Sequence, residues 1–392
     1  MRFPNYNDNW CSNTIDELFL FLRNNTLPRD DLNYENGSCK NIHYGDILTK
    51  FNTLKDVSDS DVPFINNNIV SKNDLLYSND IVIADTAEDY LVGKAIEIKN
   101  SNNVYTCSGL HTIPLRPKNK FASGFIAFNI NSYSFRKRIH PLIQGIKVYS
   151  ISKSALLKTK VYYPSFNEQS IISKFIQHLE ERILTQKKII RDYKLLLNSI
   201  RNKKLRYYDA TNTHSTLDNY LIEYCNKTEQ NNLYPVLSST KDGIYLQSEY
   251  FNKEAASENT TGYKILPRNY CTYRSMSDTG SFTFNKQTII DNGIISPAYP
   301  VFTSKINNDF LIEYLNNSSF FKSSLLEMKE GGTRFALSYS KLLKLKIVDI
   351  PIHEQDNYIN IINAYKNIII NEEQILSLLE KQKQYLLNKM FI

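Results

Sequence analysis

The chain has 392 residues, of which 42% are hydrophobic and 22% are charged. This length exceeds what one ordinary core accommodates, so we expect two or more globular domains and exclude a disordered chain. Lysine and arginine number 47 against 40 aspartate and glutamate residues, and the resulting net charge of +7 favours a polyanionic partner only mildly.

Cysteine usage and hydropathy indicate a cytoplasmic protein without a membrane segment. The start, MRFPNYNDNW, lacks the apolar core of a signal peptide, and no stretch approaches the ~20 apolar residues of a membrane helix. No C-x-x-C pair is present, so we expect neither a disulfide framework nor a zinc site, and no metal on this chain. The five cysteines are far apart: Cys11, Cys39, Cys107, Cys225 and Cys271.

The first part of the chain is predicted to be strand-rich and to lead into a long helix. Short β-branched runs at 81–86, 95–98 and 112–115 predict strands. Residues 168–205 contain neither glycine nor proline, and their apolar residues follow at steps of three and four, which predicts one helical stripe. The stripe consists of Ile172, Phe175, Leu179, Ile183, Ile190, Tyr193, Leu197 and Ile200.

The second part repeats this order after a polar linker at 207–216. Strands are predicted at 263–266 and 299–302, and a pair of helical turns at 310–328. A second long helix without glycine or proline is predicted from 354 to 389, with apolar residues at heptad spacing that make it a natural partner of the first. These residues are Tyr358, Ile361, Tyr365, Ile368, Ile375, Leu379 and Leu386.

The two long helices are preceded by similar segments, LLKTKVYYPSFNEQ at 156–169 and LLKLKIVDIPIHEQ at 342–355, which lie 186 residues apart. We interpret them as the edges of an internal repeat with two long units. The same offset aligns three further pairs: Gly145 with Gly331, Ser152 with Ser338, and Lys160 with Lys346.

Several longer phrases resemble the specificity subunits of type I restriction–modification enzymes. In the first half these are RFPNYNDNW at 2–10, IHYGDIL at 42–48 and SNDIVIADTAEDYLVGKAIEI at 78–98, the last followed by SGLHTIPLRP at 108–117. In the second half they are VLSSTKDGIYLQSEYFNKE at 236–254 and GGTRFALSYSKLLKLKI at 331–347. Together with the duplicated Glu-Gln helix starts, the resemblance covers nearly the whole chain.

The resemblance implies a noncatalytic subunit whose two target-recognition domains each read half of a split double-stranded DNA site. It also implies two antiparallel helices that hold the halves apart and dock two methyltransferase subunits, with restriction/translocase subunits in the full complex. No cofactor is implied on this chain; S-adenosylmethionine, ATP and Mg²⁺ are implied only on the partner subunits. Each helix is about 50 Å long, or about 15 base pairs at ~3.4 Å each, so helix length could set the spacer.

The expected fold is therefore α+β, with two globular target-recognition domains separated by two long antiparallel helices in a pseudo-twofold repeat. Because the two domains differ outside the edges of the repeat, we expect an asymmetric target. The predicted segments are target-recognition domain 1 at 1–167, the central helix at 168–206, the linker at 207–216, target-recognition domain 2 at 217–353 and the C-terminal helix at 354–392.

Candidate DNA contacts are basic or hydroxyl-bearing side chains in predicted loops, because base edges and phosphates need such partners. Lys147 and Arg334 occupy the matching glycine-flanked stretches. The first-domain candidates are Arg116, Lys118, Lys120, Arg136, Lys137, Arg138, Lys147 and Tyr149. The second-domain candidates are Lys241, Arg268, Tyr273, Arg274 and Arg334.

Two alternatives remain open at this point. Asp85 or Asp89 with Glu97 and Lys99 imitates the D…E-x-K pattern of a metal-dependent nuclease, which would make the chain a single-chain enzyme. The other alternative is a coiled-coil scaffold that does not bind DNA. His111 lies in SGLHTIPL without a nucleophile or metal-ligand spacing around it, so we expect a structural or hydrogen-bonding residue.

Overall fold

A computed structural model describes residues 3, 6, 8–66, 75–101, 104–250, 259–328 and 335–392. The chain divides into two compact units. Unit 1 comprises Met1–Lys188 and Gln374–Ile392, and unit 2 comprises Ile189–Glu373. Both units mix helices and strands, which confirms the predicted α+β class. Each unit also contains part of both long helices, so the units do not follow the predicted domain boundaries.

The elements of unit 1 begin with short strands and end in the first long helix. Its strands are β1 Cys11–Thr14, β2 Phe19–Phe21, β3 Leu32–Asn33, β4 Lys40–Ile42, β5 Leu54–Asp56, β6 Phe64–Ile65, β7 Ile81–Ala84, β8 Thr86–Ala87, β9 Ala95–Lys99, β10 Thr106–Ser108, β11 Thr112–Pro117, β12 Tyr149–Ser150 and β13 Lys160–Tyr163. Its helices are α1 Ile15–Leu18, α2 Tyr44–Thr49, α3 Phe125–Ile130, α4 Tyr133–Ile139, α5 Lys153–Leu157 and the first part of α6 Phe166–Thr211.

Strand β7 is the centre of a five-stranded sheet with the order β2-β11-β7-β9-β5. All four of its residues are buried, because both faces of the sheet are covered. Ile81 and Ile83 face a core that contains the fully buried helix α3, whereas Val82 and Ala84 face a second core. A separate four-stranded sheet has the order β10-β4-β6-β3.

Unit 2 has a smaller sheet and an aromatic core. Its strands are β14 His214–Thr216, β15 Leu221–Glu223, β16 Leu237–Thr240, β17 Gly243–Leu246, β18 Lys264–Pro267, β19 Cys271–Tyr273, β20 Met276–Ser277, β21 Phe284–Lys286, β22 Asn292–Ile295, β23 Val301–Ser304, β24 Phe335–Ala336 and β25 Lys346–Val348. Its helices are α7 Gln247–Tyr250, α8 Asn308–Asn317, α9 Ser319–Glu327, α10 Tyr339–Lys344 and most of α11 Ile352–Met390.

The sheet of unit 2 has the order β15-β23-β19-β21, and strands β16 and β17 form a hairpin beside it. Its core consists largely of rings, which pack edge to face and at tilted angles. The fully buried rings include Tyr273, Phe284, Phe302, Phe310, Tyr314 and Phe321.

The internal repeat is visible in the hydrogen bonds at the start of each long helix. The side chain of Gln169 donates to the carbonyl of Pro164 (2.9 Å) and accepts from the backbone N–H of Ala122 (3.1 Å). Gln355, 186 residues later, likewise donates to the carbonyl five residues before it (2.9 Å) and accepts from the N–H of Asn307 (3.1 Å). Both glutamines are buried, so each one fixes its helix start to the globular part of its unit.

The residues before each helix start are also equivalent. Strand β13 pairs with β1 in unit 1, as β25 pairs with β14 in unit 2. The hydroxyls of Ser152 and Ser338 accept from the backbone N–H three residues later, at 3.2 and 3.3 Å, and so cap α5 and α10. The sequence repeat is therefore a structural repeat.

The long helices differ from the predictions at their ends. Helix α6 extends to Thr211, and β14 follows at once, so the predicted linker at 207–216 is helix and strand. Its polar residues are satisfied within unit 2: Asp209 accepts from the hydroxyls of Tyr314 (2.5 Å) and Ser318 (2.9 Å). The polar residues of this segment therefore form hydrogen bonds within the fold, and the segment is not a solvent-exposed linker.

Most residues of the predicted stripes lie in the cores, but three do not. Phe175, Ile361 and Ile375 are 44%, 41% and 43% exposed. Their neighbours Ile176 and Ile362 are buried in their place. Adjacent apolar residues satisfy either heptad choice, and the spacing does not distinguish them. Tyr193, Ile200, Tyr365 and Ile368 are half-buried. The buried members are Ile172, Leu179, Ile183, Ile190, Leu197, Tyr358, Leu379 and Leu386.

Ion pairs show that α6 and α11 run antiparallel in each unit. In unit 1, Glu180 accepts from Lys383 at 2.5 Å, and Lys187 pairs with Glu380 at 2.9 Å. In unit 2, Lys194 pairs with Glu373 at 2.6 Å. From Glu180 to Lys194 the residue numbers increase along α6, while those of the paired residues on α11 decrease from 383 to 373.

Each unit also contains a buried carboxylate that joins the helices to the globular part. Glu180 accepts from the hydroxyl of Thr53 at 2.8 Å besides its bond from α11. Glu313 of α8 accepts from Arg201 of α6 and from Lys366 of α11, the latter at 3.1 Å. A buried carboxylate is tolerated when it is paired in this way.

Within the described residues, no helix is long and apolar enough to cross a membrane. The same residues contain no group of three metal-ligating side chains. All five cysteines are free thiols.

The buried glutamines give a stability prediction. Gln169→Ala and Gln355→Ala each remove the partner of one backbone N–H and of one buried carbonyl, so each variant should lose roughly 2–4 kcal/mol of unfolding free energy. Urea unfolding followed by circular dichroism measures the loss. The exposed Gln382→Ala is the matched control. Equal stability of Gln169→Ala and the control would contradict the anchoring role.

Candidate nucleic-acid interface

Each unit exposes an edge at the point where its central sheet strand leaves the sheet. In unit 1, β7 continues through Asp85 into β8, which pairs with β12. In unit 2, β19 continues through Arg274 into β20, which pairs with β24. Strands β12 and β24 are equivalent in the repeat, and each follows a glycine-flanked stretch. We call these two places the β8 edge and the β20 edge.

Polar and aromatic side chains form the β8 edge. His111 has a left-handed backbone (φ 56°), and its Nδ1 lies 3.2 Å from the hydroxyl of Thr86 and 3.4 Å from Asp85. Its ring packs edge-on against Tyr44 at 5.2 Å. His111 is thus a hydrogen-bonding residue on a half-exposed surface.

A stack of rings continues the β8 edge. Tyr90 lies between Tyr149 (4.8 Å between centroids) and His140 (5.3 Å). Hydrogen bonding between the two phenols raises the pKa of Tyr149. Arg136 donates to the carbonyl of Tyr90 and so helps to fix the backbone that carries this ring. Exposed flat rings of this kind offer stacking surfaces to bases or sugars.

The β20 edge opens onto a cleft of about 670 Å³ that is rich in hydroxyl groups. Arg274 and Lys241 line it, and neither forms a hydrogen bond or ion pair within the described part of the chain. Asn285 donates to the hydroxyl of Ser239 (2.9 Å) and the carbonyl of Thr240 (2.7 Å), and so fixes the β16–β17 hairpin at the cleft wall. The lining hydroxyls are Ser238, Ser239, Thr240, Ser277, Thr279, Ser281, Thr283 and Ser296, with the tyrosines Tyr250, Tyr263 and Tyr299.

These hydroxyls were not among the sequence candidates. Their signal was present as serine and threonine density in SST at 238–240 and SMSDTGSFT at 275–283. Arg274 and Lys241 were predicted, and the structure brings them together in one cleft.

Three first-domain candidates lie away from the β8 edge. Arg116 is within β11 and not in a loop, and its guanidinium pairs with Asp80 at 2.7 Å over the ring of Tyr77. Lys118 donates to the carbonyl of Asp16, and Lys120 lies over Phe166. All three are at the end of β11 opposite His111, about 17 Å away at ~3.3 Å per residue.

The run from Arg136 to Arg138 does not form one basic surface. Consecutive helix residues point in directions about 100° apart, so the three side chains of α4 separate. Arg136 supports Tyr90, and Arg138 donates to the carbonyl of Ile392 at 3.0 Å. Lys137 is exposed.

Two second-domain candidates are also engaged within the fold. Tyr273 is fully buried, and its hydroxyl donates to the carbonyl of Leu337 at 3.1 Å, so its prediction as a DNA contact was wrong. Its aromatic side chain serves the core instead. Arg268 pairs with Asp291 at 3.0 Å. Arg334 lies outside the described residues, and Lys147 is exposed beside the β8 edge.

The residues of the nuclease alternative are not assembled. Glu97 lies opposite Ile81 in the β7–β9 pair, whereas Asp85 lies four residues further along, about 13 Å at ~3.3 Å per residue. Asp89 accepts from the backbone of Leu91 in a turn. Glu97 instead accepts from the hydroxyl of Ser123 and the N–H of Gly124, both at 2.7 Å, at the start of α3.

Comparison with known proteins supports the classification of this fold. Residues 7–191, just under half of the chain, match the family model of the type I restriction modification DNA specificity domain. The S subunit of a type I restriction-modification system from M. genitalium is similar over 100% of this chain and 98% of its own, with 15% identity and a TM-score of 0.54. A chain of a type I R-M system, solved to explain complex assembly and conformational transition, covers 97% of both chains with 13% identity and a TM-score of 0.56.

The fold and the two edges define a duplicated architecture in which each unit repeats one frame. The resemblance found in the sequence is confirmed for residues 7–191, which match the model of the type I restriction modification DNA specificity domain. The solved structures extend the fold, at low identity, to the whole chain. No curated protein sequence matches this chain.

Burial of Glu97 predicts a pH dependence of stability. Burial raises the pKa of Glu97 to about 7. The folded chain therefore holds this proton more tightly than the unfolded chain, and the associated stability is present below pH ~4.5 and lost as the pH rises through about 7. The stability of Glu97→Gln relative to the natural chain should therefore increase from pH 5 to pH 8. Thermal unfolding of both proteins at the two pH values measures this increase. The substitution Asp89→Asn at an exposed position is the control. A stability difference between Glu97→Gln and the natural chain that is the same at both pH values would contradict the raised pKa of Glu97.

The different surroundings of Arg116 and Arg274 predict opposite phenotypes. Arg274→Ala should weaken DNA binding by roughly 10- to 100-fold with an unchanged melting temperature, because its guanidinium has no partner among the residues that the structure describes and can bind a base or phosphate. Arg116→Ala should lower the melting temperature, because it leaves buried Asp80 unpaired. Fluorescence anisotropy and differential scanning calorimetry separate the two. Normal DNA binding by Arg274→Ala would remove it from the interface.

Proposed function

We propose that this chain is the DNA-recognition subunit of a type I restriction–modification complex and that each unit reads one half of a split site. The chain itself performs no chemistry in this proposal. The observation that carries it is the duplication: one frame of capped helices, paired strands and buried glutamines occurs twice, and each copy presents an edge of different composition.

The composition of the edges supports two different half-sites. The β20 edge offers the guanidinium of Arg274, which is unpaired among the described residues and can donate two hydrogen bonds to guanine, together with hydroxyls that can donate or accept. The β8 edge offers His111, Thr86 and a ring stack. Surfaces so different favour different base sequences, so the target is asymmetric.

Equivalent exposed faces of the long helices support two copies of one partner. Phe175 and Ile361 are equivalent in the repeat and exposed, as are Ile189 and Ile375. We assign these faces to two methyltransferase subunits, with restriction/translocase subunits joining the full complex. S-adenosylmethionine, ATP and Mg²⁺ would be held by those partners.

Methylation mapping tests the function. Cells that express this chain with its methyltransferase partner should carry adenine methylation at a split, asymmetric motif that disappears when the chain is deleted. Salt-dependent binding of the complex to that motif separates the proposal from a coiled-coil scaffold, because contacts to phosphates weaken steeply with salt. Methylation that survives deletion, with a working partner present, would refute the recognition role.

Helix length gives a second prediction. Inserting about four residues into the exposed middle of α6 should lengthen the spacer between the half-sites and leave both half-sites unchanged, because the edges are not altered. Sequencing of methylated DNA reports the spacer directly. A substitution of Lys203 to alanine on the same helix is the control. A changed half-site would count against the helices as a ruler.

A further inference from the structure

The stretch between Gln144 and Ser150 is a tight, fixed loop. The two residues exchange backbone hydrogen bonds of 2.9 and 2.8 Å. Gly145 has a φ of +116°, and a β-carbon there would overlap the carbonyl of Val148. Only glycine fits this turn, so the residues at its tip have a defined direction.

The tip presents apolar side chains to solvent. Ile146 is 92% exposed, the highest value among the large hydrophobic residues that the structure describes, and Val148 is 54% exposed. Lys147 is exposed between them. Isolated exposed hydrophobic residues are common, but two of them on a rigid turn, with a cationic residue between them, form a compact apolar projection that also carries a positive charge.

The loop belongs to the β8 edge. It leads directly into β12, which pairs with β8, and the following residue Tyr149 is part of the ring stack with Tyr90. The projection therefore stands beside the surface proposed to face DNA. A tip of three residues is far smaller than the ~800 Å² per partner of a typical stable protein interface, so DNA is the favoured occupant.

We propose that Ile146 is a wedge that inserts between base pairs of the half-site read by unit 1, while Lys147 contacts a neighbouring phosphate. This inference rests on the proposed DNA-recognition function. Apolar side chains such as isoleucine unstack a base step and bend the duplex, and the sequence that is easiest to deform is then preferred. The wedge adds recognition through DNA shape to the contacts of the β8 edge.

The repeat makes the wedge asymmetric. The residue 186 positions after Ile146 is Gly332, which has no side chain to insert. Distortion of this kind is therefore confined to one half-site. The half-site of unit 2 serves as an internal control in the same DNA.

The test uses the complex of this chain with its methyltransferase, bound without S-adenosylmethionine to the motif found by methylation mapping. Single 2-aminopurines replace adenines along each half-site in turn, and the methylated adenine is left out because its own extrusion would also give a signal. The natural chain should raise the fluorescence of one step in one half-site only. Ile146→Ala should abolish this rise and weaken binding by roughly 10- to 100-fold.

Lys147→Ala is the matched control on the same turn. It should keep the fluorescence rise and reduce the slope of log affinity against log salt by about one. Unchanged fluorescence in Ile146→Ala would overturn the wedge. Loss of methyltransferase assembly with normal DNA distortion would overturn it too and assign the tip to a protein partner. Failure of the natural complex to bind the motif at all would instead refute the proposed function.

Discussion

The burial of one stripe along each long helix is the constraint on which both units depend. A single apolar stripe on an exposed helix has to be covered, and here each unit covers it with its own core. Leu179 and Leu379 lie in the core of unit 1, and Leu197 and Ile362 lie in that of unit 2. Neither globular part is complete without segments of both helices, which explains why the compact units cut across the helices.

Buried polar residues give this packing its specificity. Gln169 and Gln355 attach each helix start to the residues that lead into a helix of the globular part, and Glu180 and Glu313 attach the helices further along. Apolar contacts are non-directional, whereas these hydrogen bonds require particular partners at fixed distances and so specify one arrangement. The same arrangement occurs in both units although the surrounding sheets differ. We interpret it as a shared frame on which the two edges diverged.

The sequence predicted the frame well because its signals are local and repeated. Helix existence, the strand runs and the duplicated helix starts all follow from patterns within short windows. The predicted stripe named the wrong residue where two apolar residues are adjacent. Ile361 was predicted to be buried, but Ile362 is buried instead, because both positions satisfy the heptad spacing. The prediction of a linker at 207–216 was wrong because the polar residue Asp209 accepts a hydrogen bond from Tyr314, more than 100 residues later, within the fold. The composition of a short segment does not show which distant residues its polar side chains will bind.

Candidate contacts were harder to predict for the same reason. Arg116 and Arg274 look alike in sequence. Only the fold shows that Arg116 pairs with Asp80, whereas Arg274 lines a cleft and has no ion pair within the described part of the chain. Tyr273 was predicted to contact DNA, but it lies on the buried strand β19 and its ring is part of the core. The identity of the edge comes from the tertiary pairing of β8 with β12 and of β20 with β24.

Site-specific photo-crosslinking tests the central claim that equivalent edges read different half-sites. A benzophenone amino acid replaces Tyr90 at the β8 edge, Tyr250 in the cleft of the β20 edge, or the exposed Tyr105 as a control. The account predicts that position 90 crosslinks to one half-site, position 250 to the other, and position 105 to neither. Crosslinking of positions 90 and 250 to the same half-site, or equal crosslinking from position 105, would contradict it.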